Sequence, residues 1–252
     1  MILRRVIDHF RKQEWTAIFL DFVIVVVGVF IGIQVANWND ARRERSLDRS
    51  YMLRLHDEVQ AAEQPMAEIA REQETIARFL SQAIARITGA PSAESLSRDE
   101  CDAIFASHIY RPLLLTLPTL DELLSSGRAS ILRDNDLRGA LARLSQREAA
   151  TRNTASYVAS GAYVLPHLYP EMVRVNPEMT ADRFGFAPFG GHECAIALMT
   201  GSKAFRNDLI DNRYRMDAYI REGLGPERLQ LMEVHRLLDR TLNIQHGKEA
   251  AP

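Results

Sequence analysis

Cysteine and tryptophan are both nearly missing from this chain, with two of each in 252 residues. Cys101 and Cys194 alone make no disulfide-dense secreted scaffold and no multi-cysteine zinc module. An excess of charge of either sign is missing too. The 31 basic residues face 33 acidic ones, a net charge of -2, which leaves no concentrated basic footprint for a nucleic acid. No nucleic-acid partner is expected. Proline (10) and glycine (13) are sparse enough to permit long helices, and no segment alternates apolar and polar residues as a half-buried strand does. An all-α chain of one or two ordinary domains follows.

What the sequence does contain is one long apolar run. Trp15 to Trp38 reads WTAIFLDFVIVVVGVFIGIQVANW, closed at each end by one of the two tryptophans. As a helix, about 24 residues at about 1.5 Å each span roughly 36 Å, enough for a ~30 Å hydrocarbon core with some tilt. Tryptophan favours the headgroup level, so one at each end suits a membrane span. A buried core helix or strand is the competing reading, because Val23 to Val27 has β character. The run's length and the basic flank Arg4, Arg5, Arg11 and Lys12 oppose it. A cleaved signal is opposed by the same length and by an exit, Gln34-Val35-Ala36-Asn37-Trp38, without a small-x-small site.

Asp21 lies only about two turns from Trp15, close enough to the headgroups to need no catalytic role. Asp21, Gly28, Gly32 and Ala36 fall on one side of the helix, and Gly28-x-x-x-Gly32 is a spacing that lets two spans approach closely. Gly28, Gly32 and Ala36 are therefore the candidate packing residues, for a homodimer or for an unidentified membrane protein. Before the span, Ile2, Leu3, Val6, Ile7 and Phe10 form an apolar stripe beside arginines, like a short interfacial helix. Arg42, Arg43, Arg45 and Arg49 follow the span, so the positive-inside count nearly ties. The short basic N-terminal tail favours a cytoplasmic N-terminus and a large domain outside the cytoplasm.

Past Trp38 the chain becomes charge-rich. Met52, Leu55, Val59, Ala62, Met66, Ile69, Ile76, Leu80, Ala83 and Ile87 recur by threes and fours, with Gln73 the polar exception, and predict a long amphipathic helix. Pro65 should kink or divide it. Ser97-x-x-Glu100 forms a capping box for a short helix, and Thr119-x-x-Glu122 suggests another that closes at Gly127. Asp134 or Asn135 can start a longer helix that carries Leu137, Leu141, Leu144, Thr151, Val158 and Leu165. A last helical pattern runs from about Lys203 to Leu242, with Gly223, Gly225 and Pro226 expected to break it in two. The expected organisation is a basic segment 1–14, a transmembrane helix 15–38, an antiparallel helical bundle 39–245 and a fraying tail 246–252.

The stretch FVIVVVGVFIGIQVANWNDARRER resembles the opening of a family of bacterial single-pass membrane proteins of uncharacterised function. Their span ends in a Gln-x-x-Asn-Trp-Asn signature, matched by Gln34, Asn37, Trp38 and Asn39. LDELLSSGRASILRDNDLRGALARL, residues 120–144, echoes a second segment of that family more loosely. The resemblance implies a bacterial membrane location and a helical soluble part, and it brings no catalytic residues.

Signals for chemistry are thin. His192-Glu193-Cys194 begins like a zinc-protease helix, but Ile196 stands where the second histidine belongs. His192, Cys194, His167, His108 and Cys101 have no metal-site spacing, and no cofactor or metal is expected. Thr200-Gly201-Ser202-Lys203 lacks the earlier glycine of a phosphate loop, and Ser125-Ser126-Gly127 reads as a turn. Asp134, Asp136, Asp208 and Asp211 read as caps and solvated faces. Cys101 and Cys194 are either a disulfide in an oxidising compartment or two buried thiols. Phe184, Phe186 and Phe189, set among glycines and Pro188, form a candidate interaction loop or a plug for the end of the bundle. A non-enzymatic, membrane-anchored interaction or sensing protein is expected, against a tethered enzyme with a site near His192 or a structural subunit of a membrane complex.

Overall fold

The computed structural model describes residues 15–89, 95–111, 115–175 and 191–245, with side chains from residue 19 onward. The fold is all-α. Its helices are α1 (Trp15–Thr88), α2 (Arg98–Ala106), α3 (Pro118–Ser125), α4 (Asn135–Ser160), α5 (Leu165–Leu168), α6 (Ile196–Gly201), α7 (Lys203–Ala218) and α8 (Gly225–Leu242). A π-helical turn, Tyr219–Leu224, joins α7 to α8. The strands among the described residues are two dipeptides, β1 (Val173–Arg174) and β2 (Glu193–Cys194), paired antiparallel with Val173 opposite Cys194.

The chain divides into two compact units, residues 1–51 and 52–252. In the first, α1 is the one described helix long and apolar enough to cross a membrane by length and composition. Its most apolar 18-residue window has a mean hydropathy of 2.5, and none of that window is buried. Trp38 is exposed, and the Arg42 guanidinium lies 5.9 Å from its ring centroid.

In the second unit the predicted seam is the core. Met52, Leu55, Val59, Met66, Ile69, Ile76, Leu80, Ala83 and Ile87 are all buried, and Ala62 alone is half-exposed. Pro65 does not divide α1, which continues through it. A mid-helix proline costs roughly 3 kcal/mol. Burying Val59, Met66, Ile69 and Ile76 on either side returns about 1.5–3 kcal/mol each, so packing outweighs the break. Residues 76–87 of α1 pack with Ala103 and Ile104 of α2 and with Phe205, Leu209 and Met216 of α7. A smaller cluster joins Ile69, Ala155, Val158, Tyr219 and Leu224.

Several local signals are realised and two are corrected. Ser97 and Glu100 make the reciprocal capping box. Asp134 caps α4 by accepting from the backbone N–H groups of Asp136 and Leu137. Thr119 is not the cap of α3, which starts one residue earlier at Pro118. Proline has no N–H to satisfy at that position. The carboxylate of Glu58, from α1, takes the Thr119 N–H at 3.1 Å and its hydroxyl at 2.6 Å, acting as a cap from a distant part of the chain. Gly223, Gly225 and Pro226 do not break the C-terminal helix: the π turn absorbs the irregularity and α8 follows directly.

Candidate functional site

Gly28, Gly32 and Ala36, the residues expected to pack, lie on the exposed apolar part of α1. A Cβ added at Gly28 or Gly32 would meet nothing within 4 Å, so that face is open. Phe184, Phe186 and Phe189 lie outside the described residues, as do the 1–14 segment and the 246–252 tail.

Around His192 the side chains are occupied structurally. Cys101 and Cys194 form a disulfide between α2 and β2, with Cα atoms 5.7 Å apart, so neither offers a thiolate to a metal. The neighbouring Asp102 carboxylate accepts the Gly191 and His192 backbone N–H groups at 3.2 and 3.0 Å, pinning the same segment a second way. The His192 ring is buried against Phe105, with centroids 3.8 Å apart. Gly191 has φ +75°, in the left-handed region that favours glycine, and the Arg98 guanidinium lies over the space a Cβ would take. Glu193 is exposed and pairs with Arg174 across the strand pair at 3.2 Å.

The remaining sequence candidates have structural partners. Ser202 caps α7 through the Phe205 N–H at 3.2 Å. Ser125 and Ser126 turn their hydroxyls to carbonyls of the preceding turn, and Gly127 takes φ +66°. Asp208 accepts from the Tyr169 hydroxyl at 2.7 Å, and Asp211 pairs with Arg215 at 2.6 Å. Burial pushes the Tyr169 hydroxyl up to about 12, with Asp208 adding to the shift. Burial lowers the pKa of His108.

A constellation that spacing alone did not suggest lies between α1 and α8. His56 Nε2 is 3.0 Å from Asp239 Oδ1, and His235 Nε2 is 3.6 Å from the same oxygen. His235 Nδ1 is 2.7 Å from Glu63 Oε1, while His56 Nδ1 is 3.6 Å from Asp57 Oδ1. The His56, His235 and Asp239 side chains are 7%, 12% and 22% exposed, so the group is shielded but reachable from the Asp239 side. The two rings meet edge-on with centroids 5.1 Å apart. Beside it a cleft of about 630 Å³ is lined by Gln60, Glu63, Gln64, Arg228, Leu231 and Met232, so Glu63 belongs to both cleft and cluster. The sequence signal for half of this group is His235-x-x-x-Asp239, one helical turn on a single face. The other half, His56 and Glu63, is far away in the chain.

One further ionisable group is buried without an ionic partner. Glu227, in the first turn of α8, is fully buried, and neither carboxylate oxygen makes a hydrogen bond of normal geometry among the described residues. Burial pushes its carboxyl upward, and the neighbouring Thr151 hydroxyl offsets only part of that. The π turn before it is held by the Tyr219 hydroxyl donating to the Arg111 carbonyl at 2.6 Å.

No family model, no curated protein and no solved structure matches the chain. The residues themselves therefore carry every functional argument.

Proposed function

We propose that this chain is a single-pass protein of a bacterial inner membrane, anchored through residues 15–38, whose helical bundle serves interaction or sensing without catalysis. The observation that carries the reading is the exposed apolar window of α1, with mean hydropathy 2.5 and none of it buried among the described residues. Apolar surface on that scale calls for lipid or a partner protein rather than water. The basic N-terminal flank favours a cytoplasmic N-terminus and a periplasmic bundle. The Cys101–Cys194 bond supports the same orientation, because structural disulfides persist in oxidising compartments.

The open face at Gly28, Gly32 and Ala36 supports self-association of the span, or packing against another membrane protein, since small residues let helix backbones approach. Reporter fusions at the C-terminus test the orientation. Alkaline phosphatase activity without green fluorescence is expected, and the opposite pattern refutes the periplasmic reading. Extraction of the full chain from membranes by alkaline carbonate would refute the anchor itself.

A further inference from the structure

We propose that His56, His235 and Asp239 bind one divalent transition-metal ion of the Zn²⁺ class, with Glu63 orienting His235 from outside the coordination shell. Every distance involved lies within residues 52–252, so the site does not depend on the membrane anchor. Around a tetrahedral Zn²⁺ with bonds of about 2.0–2.1 Å, neighbouring donor atoms stand roughly 3.3–3.4 Å apart. Asp239 Oδ1 lies 3.0 Å from His56 Nε2 and 3.6 Å from His235 Nε2, on either side of that spacing. One donor atom from each of the three residues lies within 4.8 Å of the other two, and side-chain rotation closes the triangle.

The outer contacts agree with a metal ligand's needs. A metal-bound imidazole presents one nitrogen lone pair and donates its other N–H, typically to a carboxylate, which fixes the ring and its tautomer. His235 turns Nε2 toward Asp239 and Nδ1 toward Glu63 at 2.7 Å. His56 turns Nε2 toward Asp239 at 3.0 Å, and the Asp57 carboxylate lies 3.6 Å from its Nδ1, too far for a hydrogen bond. A plain hydrogen bond accounts for His56 and Asp239 at 3.0 Å. His235 Nε2 faces the same oxygen from 3.6 Å, beyond hydrogen-bond length, while its Nδ1 is committed to Glu63, which leaves room for an ion between Nε2 and the carboxylate.

Two imidazoles and one carboxylate suit Zn²⁺ and its first-row neighbours, whereas Mg²⁺ and Ca²⁺ take oxygen shells. Three protein donors leave a fourth position for water or a small ligand. His56 comes from α1 and the other two ligands from one turn of α8, so the ion would clamp the two helices together.

The test uses the full chain in lipid nanodiscs, free of any histidine tag and stripped with chelator. Calorimetric titration with Zn²⁺ should give one saturable site per chain, and Co²⁺ should give the visible absorption of a tetrahedral complex. Mg²⁺ should give neither. His235→Gln should abolish both signals, and Glu63→Gln should keep the stoichiometry while weakening binding about 10–100-fold. His167→Gln, an exposed histidine elsewhere, should change nothing. If His235→Gln fails to fold by circular dichroism, the wild-type chain still decides: Zn²⁺ should raise its melting temperature and Mg²⁺ should not. Absence of saturable Zn²⁺ binding overturns the proposal, and so does full-affinity binding by a folded His56→Gln/His235→Gln variant.

Discussion

Removing the Cys101–Cys194 disulfide gives a direct measure of how the second unit is held together. The bond closes a loop with a sequence separation of 93 residues. Chain-entropy arithmetic for a loop of this length gives about 4.7 kcal/mol of stabilisation, through restriction of the unfolded chain. Measured values usually run lower, about 2–4 kcal/mol. Here the Asp102 bonds to Gly191 and His192 would keep the segment docked without the disulfide, so the loss should report the freed unfolded chain rather than a local opening of the fold. For a unit of this size each kcal/mol moves the melting temperature by roughly 2–4 °C, so Cys101→Ala/Cys194→Ala should melt about 5–15 °C below wild type. Alanine suits the purpose because Cys101 is buried and serine would bring an unsatisfied hydroxyl there. The assay is thermal unfolding of the full chain in nanodiscs by circular dichroism, with and without reductant. Reductant should bring wild type down to the variant and leave the variant unmoved. Coincident melts under all four conditions would refute the reasoning. Two free thiols per chain, titrated after extraction under alkylating conditions, would refute the bond itself.

Three further substitutions probe polar groups inside the core. Gln73 is fully buried in the α1 seam, and its amide has no hydrogen-bond partner among the described residues, so Gln73→Met should stabilise by about 1–3 kcal/mol in denaturant titration. Any loss of stability would show that the amide is satisfied. Asn212 is fully buried, accepts from the Tyr163 N–H and donates to its carbonyl, both at 2.8 Å. Asn212→Leu strands both backbone groups and should cost roughly 2–4 kcal/mol; a loss below that range would mean the backbone finds other partners. Glu227 has a raised folded-state pKa because burial disfavours its charged form. Below the ordinary glutamate value both states are protonated and there is no penalty. As pH rises from there through the raised value, the unfolded chain loses its proton first and stability falls. Glu227→Gln should therefore be more stable than wild type at neutral pH, with the advantage fading toward pH 4, and a constant difference across that range would refute the assignment.

How far this molecule was legible in its sequence depended on whether each signal was local. The α1 seam was readable because a helix repeats its buried face every three to four residues, and nearly every expected position is in the core. The Ser97–Glu100 box and the Asp134 cap were readable because each device is complete within four residues. Thr119 was misassigned for the converse reason: Glu58, 61 residues earlier, satisfies that helix end, and helix-end rules carry no term for a distant carboxylate. Continuity through Pro65 and through the Gly223–Pro226 region was hidden likewise, since the packing that outweighs a local break is tertiary.

The same division explains the candidate metal site. His235 and Asp239 share one helical face, but a histidine and an aspartate four residues apart also form ordinary surface pairs on helices. What distinguishes them is that α1 brings His56 and Glu63 to the other side, with a sequence separation of 183 between His56 and Asp239. The heptad seam that was legible is what makes this possible. Leu55 and Val59, fully buried, fix the rotation of α1, and His56 is the next residue after one of them. Val234 and Leu238, also fully buried, fix α8 in the same way, and each sits directly before a member of the cluster, His235 or Asp239. The apolar pattern thus sets the register in which the polar groups meet, and exchanging Leu55 or Leu238 for a smaller residue should loosen the site before it unfolds the helices.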